Sequence, residues 1–169
     1  PLPVLSYAEA MARFGCDRPD TRFGLELVDC AAVFRGSGFK VFADALARGG
    51  TVKAIVVPDG SQLSRKDLDD LTGFVGIYGA KGLAWIRINE DGWQSPIVKF
   101  LSEAERSRLT AAAALASGNL VMLVADKPRV VHDALAALRL RLGAKLGLID
   151  AGRKDLVWVT DFPLFDYDE

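Results

Sequence analysis

A chain of 169 residues, half of them apolar and a quarter charged, is long enough for one ordinary domain with a true core and has a soluble, globular balance. Its net charge of −1 rules out recruitment of nucleic acid or an anionic membrane by bulk charge, so any RNA contact requires a local basic face. No apolar run approaches the ~20 residues of a membrane span, and Pro1-Leu2-Pro3 does not begin a secretory leader.

Ser6-Tyr7-Ala8-Glu9 is a capping box that opens a helix ending at Gly15. Phe39–Ala43 and Thr51–Val57 have strand character, with Gly49-Gly50 permitting a tight reversal between them. A helical turn over Ala43–Arg48 is an open alternative. Ser64-Arg65-Lys66-Asp67 is a weaker capping box and predicts a helix to about Tyr78, stopped by Gly79. Leu83–Asn89 alternates, with Ala84, Ile86 and Ile88 facing one way and Leu83, Trp85 and Arg87 the other. Ile97–Leu101 reads as a short strand. Ser102-Glu103-Ala104-Glu105 caps an Ala-rich helix that ends before Gly118. Leu120–Val124 is apolar throughout and reads as a central strand buried on both sides. Asp126-Lys127-Pro128 places proline in the first turn of the longest helix, on which Val131, Leu135, Leu138, Leu142 and Leu146 form one stripe. Leu156–Thr160 is the last predicted strand. The order predicts an α+β fold: a two-layer antiparallel β-sheet with helices packed on one face. Arg18-Pro19-Asp20 and Asp150-Ala151-Gly152 are the expected joints. The missing initiator Met, and an end that fades into acid, read as a piece of a longer protein.

Catalytic chemistry is sparse. Gly73 to Gly82 is glycine-rich, but Tyr78 stands where a phosphate-cradling loop needs its second glycine. Gly36-Ser37-Gly38 starts like a dinucleotide fingerprint, but Val41 replaces the third glycine. His132 is the lone histidine and falls inside a predicted helix, so neither a serine triad nor a zinc site is expected. Cys16 and Cys30 lie in no paired motif and read as plain thiols in a reduced, cytoplasmic setting. Asp67, Asp69 and Asp70 read as a solvated helix face, and Asp166, Asp168 and Glu169 as a frayed acidic end rather than a metal cluster. The candidate RNA contacts are cations. Arg139, Arg141 and Lys145 lie on the last helix, away from its leucine stripe, and Arg106 and Arg108 lie on the Ala-rich helix. Basic residues late in a helix also suit its dipole.

Six stretches, in order, resemble the bacterial aspartyl-tRNA synthetase family. They are Ser6–Gly15 continuing through Asp17–Gly24, Ser37–Ala43 running on to Arg48-Gly49-Gly50, Tyr78–Trp85, Pro96–Ser102, Ala125–Val131 extending into Ala137-Leu138-Arg139, and Trp158–Phe165. Cys16, Arg18 and Ser95 depart from the family's usual Ser, Lys and Gly. The resemblance implies a class II ligase that joins aspartate to ATP with Mg²⁺ and passes it to the 3′ end of tRNA-Asp. It implies a homodimeric parent that binds neither membrane nor DNA. The second and third class II motifs and the His-containing loop that carry that chemistry are not found here. The resemblance therefore implies no catalytic, cofactor-binding or metal-binding residue in this chain. Residues 1–24 and 151–169 are expected to be edge segments of a catalytic sheet domain, and 25–150 the inserted bacterial (GAD) domain. A similar insertion occurs in an archaeal tRNA-dependent amidotransferase subunit, which points toward tRNA. The expected role is to help place the tRNA acceptor arm; the alternative is a purely structural or interaction module.

Overall fold

The computed structural model describes residues 2–165; Pro1 and residues 166–169, including the acidic trio Asp166, Asp168 and Glu169, lie outside the described residues. In chain order the strands and α-helices are β1 (Val4–Ser6), α1 (Tyr7–Phe14), β2 (Val28–Asp29), α2 (Lys40–Ala47), β3 (Thr51–Val57), α3 (Arg65–Gly76), β4 (Ala84–Asn89), β5 (Gly92–Gln94), α4 (Glu103–Ala113), β6 (Leu120–Asp126), α5 (Pro128–Lys145) and β7 (Trp158–Thr160).

Local chemistry sets the helix starts. Ser6 Oγ accepts from the Glu9 N–H at 3.2 Å while Glu9 Oε2 accepts from the Ser6 N–H at 2.8 Å, so two otherwise orphaned donors are satisfied. The same reciprocal pair forms between Ser64 and Asp67 and between Ser102 and Glu105. α1 closes at Gly15 with φ +73°. No other residue fits there easily, because an added Cβ would lie 2.7 Å from the His132 carbonyl oxygen of α5.

The main sheet has the order β2-β3-β6-β4-β5 and every neighbouring pair is antiparallel. β6 is central, with Val57 opposite Leu120 on one side and Ala84 opposite Leu123 on the other. Alternation splits the side chains into two cores. Ile55, Val57, Leu120, Met122 and Val124 face α3 and α5. Val52, Ala54, Ile86, Ile88, Val121 and Leu123 face the other way, toward Phe42 of α2 and Leu109 of α4. The α+β class and the antiparallel sheet are as expected. The helices, however, cover both faces rather than one, giving three layers, because β6, and β3 apart from Lys53, present apolar side chains to both faces. On α5 the predicted stripe is buried at Val131, Leu135, Leu138 and Leu142, while Leu146 is only partly covered. Each of these fully buried leucines contributes roughly 2 kcal/mol.

Two local expectations change, and two short strands are added. Phe39–Ala43 is not a strand: α2 occupies Lys40–Ala47, because Phe39, Phe42 and Ala45 recur at helical spacing and turn inward together. Ile97–Leu101 forms a single 3₁₀ turn, Val98–Phe100, whose main-chain bonds run locally instead of across a ladder. β2 and β5 were unanticipated; each is too short to show periodicity and is held by its neighbour, Val28 opposite Ala54 and Arg87 opposite Gln94.

The first and last strands meet. β1 and β7 pair in parallel, with Val4 opposite Trp158 and Ser6 opposite Thr160, and the Tyr7 and Phe162 rings sit 5.3 Å apart. This two-stranded piece is separate from the main sheet.

Candidate nucleic-acid interface

The five predicted cations do not converge. α4, carrying Arg106 and Arg108, lies over one face of the main sheet; α5, carrying Arg139, Arg141 and Lys145, lies over the other. Arg106 donates from Nη2 to the Val98 carbonyl at 2.8 Å and is half-buried. Arg108 is exposed and donates to the Val33 carbonyl at 3.0 Å. Arg141 is exposed and lies 4.4 Å from the Phe74 ring centroid. Lys145 Nζ is 2.9 Å from Asp67 Oδ1. That amine bond, ahead of the Ser64 hydroxyl and backbone bonds, holds the Asp67 carboxyl well below the usual carboxylate range.

Arg139 is not at the surface. Only 2% of it is exposed, which removes it from any phosphate-facing set. Its Nη2 donates to the carbonyls of Phe23 and Gly24 at 2.7 and 2.8 Å, and its guanidinium lies 4.1 Å from the Phe23 ring centroid and 4.8 Å from that of Phe14. Burial pushes its pKa down; the more distant Asp20, Cys16 and Glu26 only partly offset that. Arg139 is expected off the leucine stripe, yet it is four residues after Leu135 and three before Leu142, which is the same face.

Arg139 holds a neck. The chain enters the main body near Phe23–Leu25 and leaves near Asp150–Arg153, and these crossings touch. Arg22 Nη1 donates to the Asp150 carbonyl and Arg153 Nη1 to the Arg22 carbonyl, both at 3.4 Å. Leu25 takes φ +60°, a left-handed conformation that costs a leucine about 1–2 kcal/mol and persists because its surroundings fix it. Lys53 of β3 is buried too and donates to the Ala12 carbonyl near the end of α1 at 2.8 Å. Two buried cations on backbone carbonyls therefore join the body to the flanking segment.

The remaining candidates resolve into structure. The Gly73–Gly82 stretch contains the end of α3 and a turn with Gly79 at φ +88°. His132 is half-buried on α5; burial, then nearby Lys53, lowers its pKa. Cys30 is fully buried, and burial pushes its thiol up to about 12; burial also raises Cys16. Among the described residues, no three His, Cys, Asp or Glu side chains are grouped so as to hold a metal ion.

One cleft escaped the sequence reading. It has a volume of about 480 Å³ and lies between α2 and the segment entering β4. Phe39, Val41, Ala84, Ile97 and Ala125 line its apolar part, and Asp44, Arg48, Lys81 and Asp126 are its charged residues. Arg48 and Lys81 fall inside two of the stretches that carry the family resemblance, which was the available signal. No motif marks them as neighbours, because the antiparallel pairing of β3 with β6 and β6 with β4 brings them together.

The entry and exit of this three-layer α+β body lie side by side, as the termini of domains often do. The profile of the GAD domain family matches residues 42–135, more than half of the chain, and the chain belongs to that family. It is also 50% identical over its whole length to an aspartate–tRNA(Asp/Asn) ligase of Geotalea uraniireducens, 52% identical to one of Bacillus cytotoxicus and 53% identical to an aspartate–tRNA ligase of Exiguobacterium sibiricum. All of the chain is covered in each case, but only 28%, 29% and 29% of the relatives. The chain thus spans less than a third of the proteins it matches.

Proposed function

We propose that this chain is an internal segment of an aspartate–tRNA ligase, and that within it residues 25–150 act as an accessory domain helping to hold the acceptor arm of tRNA-Asp over an active site built elsewhere. The observation that carries the reading is the unbroken match to such ligases from end to end. The paired ends support the segmentation: residues 1–24 and 151–169 carry β1 and β7, and Val4, Leu156, Trp158, Leu164 and Phe165 leave much of their apolar surface bare. Such a patch fits packing against the rest of a catalytic sheet. ATP and Mg²⁺, on this reading, are held by the remainder of the longer protein, a cytoplasmic homodimer. One relative is named an aspartate–tRNA(Asp/Asn) ligase and another simply an aspartate–tRNA ligase, and charging of tRNA-Asp alone or of both tRNAs is compatible with the segment. The mechanism is positional. A rigid body offers cations to phosphates, which fixes register without reading sequence.

The test is a titration of labelled tRNA-Asp into the 169-residue chain at two ionic strengths. Weak binding that falls steeply with salt is expected; no binding at low salt refutes the contact. One observation favours a second reading, a bracing module without RNA contact: the five predicted cations sit on opposite faces or are buried or engaged. In that case the same titration is flat.

A further inference from the structure

The geometry points to the cleft between α2 and β4 as the seat of one unpaired, amino-bearing nucleotide of the bound RNA, an assignment that rests on the reading that the chain meets tRNA. About 480 Å³ falls in the range of small-ligand sites, roughly 300–1,000 Å³. It is room for a base, not for a duplex. The apolar part suits a base that has left its stack: Phe39 and Val41 remain partly or largely exposed beside buried Ile97, and unstacked bases are taken up against aromatic and apolar side chains.

The charges supply the rest of the recognition. Arg48 and Lys81 are exposed, and no side-chain hydrogen bond or ion pair engages either among the described residues. They are free to take a phosphate. Among the described residues no side-chain hydrogen bond or ion pair is seen at Asp44, and Asp126 Oδ1 accepts the adjacent Lys127 N–H. Carboxylates accept hydrogen bonds from exocyclic amines such as cytosine N4. Two cations and two carboxylates around one apolar cleft match a nucleotide, anionic at one end and amine-bearing at the other. An inorganic anion leaves the apolar part and the carboxylates unmatched. A greasy peptide leaves the cations unmatched.

The experiment follows backbone amide shifts of the isotopically labelled chain during titration with hexameric oligocytidine, hexameric oligouridine or a blunt RNA hairpin. Oligocytidine is expected to move amides in residues 39–48, 81–84 and 123–126. Oligouridine is expected to bind at least about fivefold more weakly, the worth of one hydrogen bond, and the hairpin to leave those amides in place. Asp44→Asn should reduce the preference for cytidine. Combined Arg48→Ala and Lys81→Ala should flatten the dependence of log Kd on log salt by about 1.4, two single-strand phosphates at ~0.7 each, with the amide spectrum otherwise native. Oligocytidine shifts elsewhere, or an unchanged salt slope, overturn the assignment. If the double variant binds tRNA-Asp as tightly and with the same slope as the parent chain, the cleft is refuted while the tRNA reading stands. If the unaltered chain binds neither tRNA nor oligocytidine, both fall.

Discussion

Replacing Arg139 with methionine isolates what a buried guanidinium does for the neck. The variant keeps a long flexible stem but strips the donors from the carbonyls of Phe23 and Gly24. An orphaned buried acceptor costs about 1–3 kcal/mol, and Gly24 is the more exposed of the two residues, so the pair is worth about 3 kcal/mol. Loss of the contacts with Phe14 and Phe23 adds about 1 kcal/mol. Relief of the guanidinium's desolvation offsets part of that loss. The net expectation is a loss of about 3 kcal/mol, or a Tm lowered by roughly 10 °C at 2–4 °C per kcal/mol for a chain of this size. Scanning calorimetry and urea unfolding measure it. Arg141→Met is the control, because that side chain is exposed and lies against the Phe74 face; it should cost less than about 1 kcal/mol. An Arg139→Met variant that melts within about 2 °C of the parent would mean that the carbonyls find other donors and the neck does not depend on this residue.

Gly15→Ala should destabilise by about 2 kcal/mol or more through its positive φ and the His132 carbonyl 2.7 Å from the new Cβ, read as an earlier urea midpoint. Cys30 should resist iodoacetamide at pH 8 in the folded chain while Cys16 reacts slowly, since only the former is fully buried; mass spectrometry before and after unfolding counts the adducts. His132 has a folded pKa below its unfolded value of about 6.5, so the unfolded chain takes the proton first. Stability from that group is whole above pH ~6.5 and declines as pH falls toward the folded value, and an imidazole NMR titration of His132 should give a midpoint below 6.5. Asp67 titrates with the same sign at lower pH. Lys145→Ala removes its largest hydrogen bond, so the Asp67 carboxyl should titrate at higher pH in the variant.

Signals that act over a few residues were legible in the sequence. The capping boxes at Ser6, Ser64 and Ser102, the proline opening α5, and the alternation of β4 each depend on neighbours within four positions, and each formed as read. β6 was read as buried on both sides, and that already implied helices over both faces; the inference to a one-faced sheet missed the consequence. α2 was obscured because its aromatic and β-branched start has strand propensity, while its packing through Phe42 is tertiary. Arg139 was misplaced for a deeper reason. Its partners lie 115 and 116 positions away, and residue type argues for the surface unless those carbonyls are known to wait. Lys53 was hidden within a β-branched strand in the same way. The cleft needed the sheet order, which no local pattern carries.

The proposed function separates a positioning body from chemistry housed elsewhere in a longer protein. Because Arg22 and Asp150 are in contact at the neck, residues 25–150 can be excised from the longer ligase that the proposed function implies and the ends bridged by a short linker. Aspartate-dependent ATP–pyrophosphate exchange by that shortened enzyme, measured beside the charging of tRNA-Asp, is the most direct test. Exchange near the parental rate with a raised Michaelis constant for tRNA is the predicted result. Loss of exchange in a protein whose remaining domains are folded would contradict it.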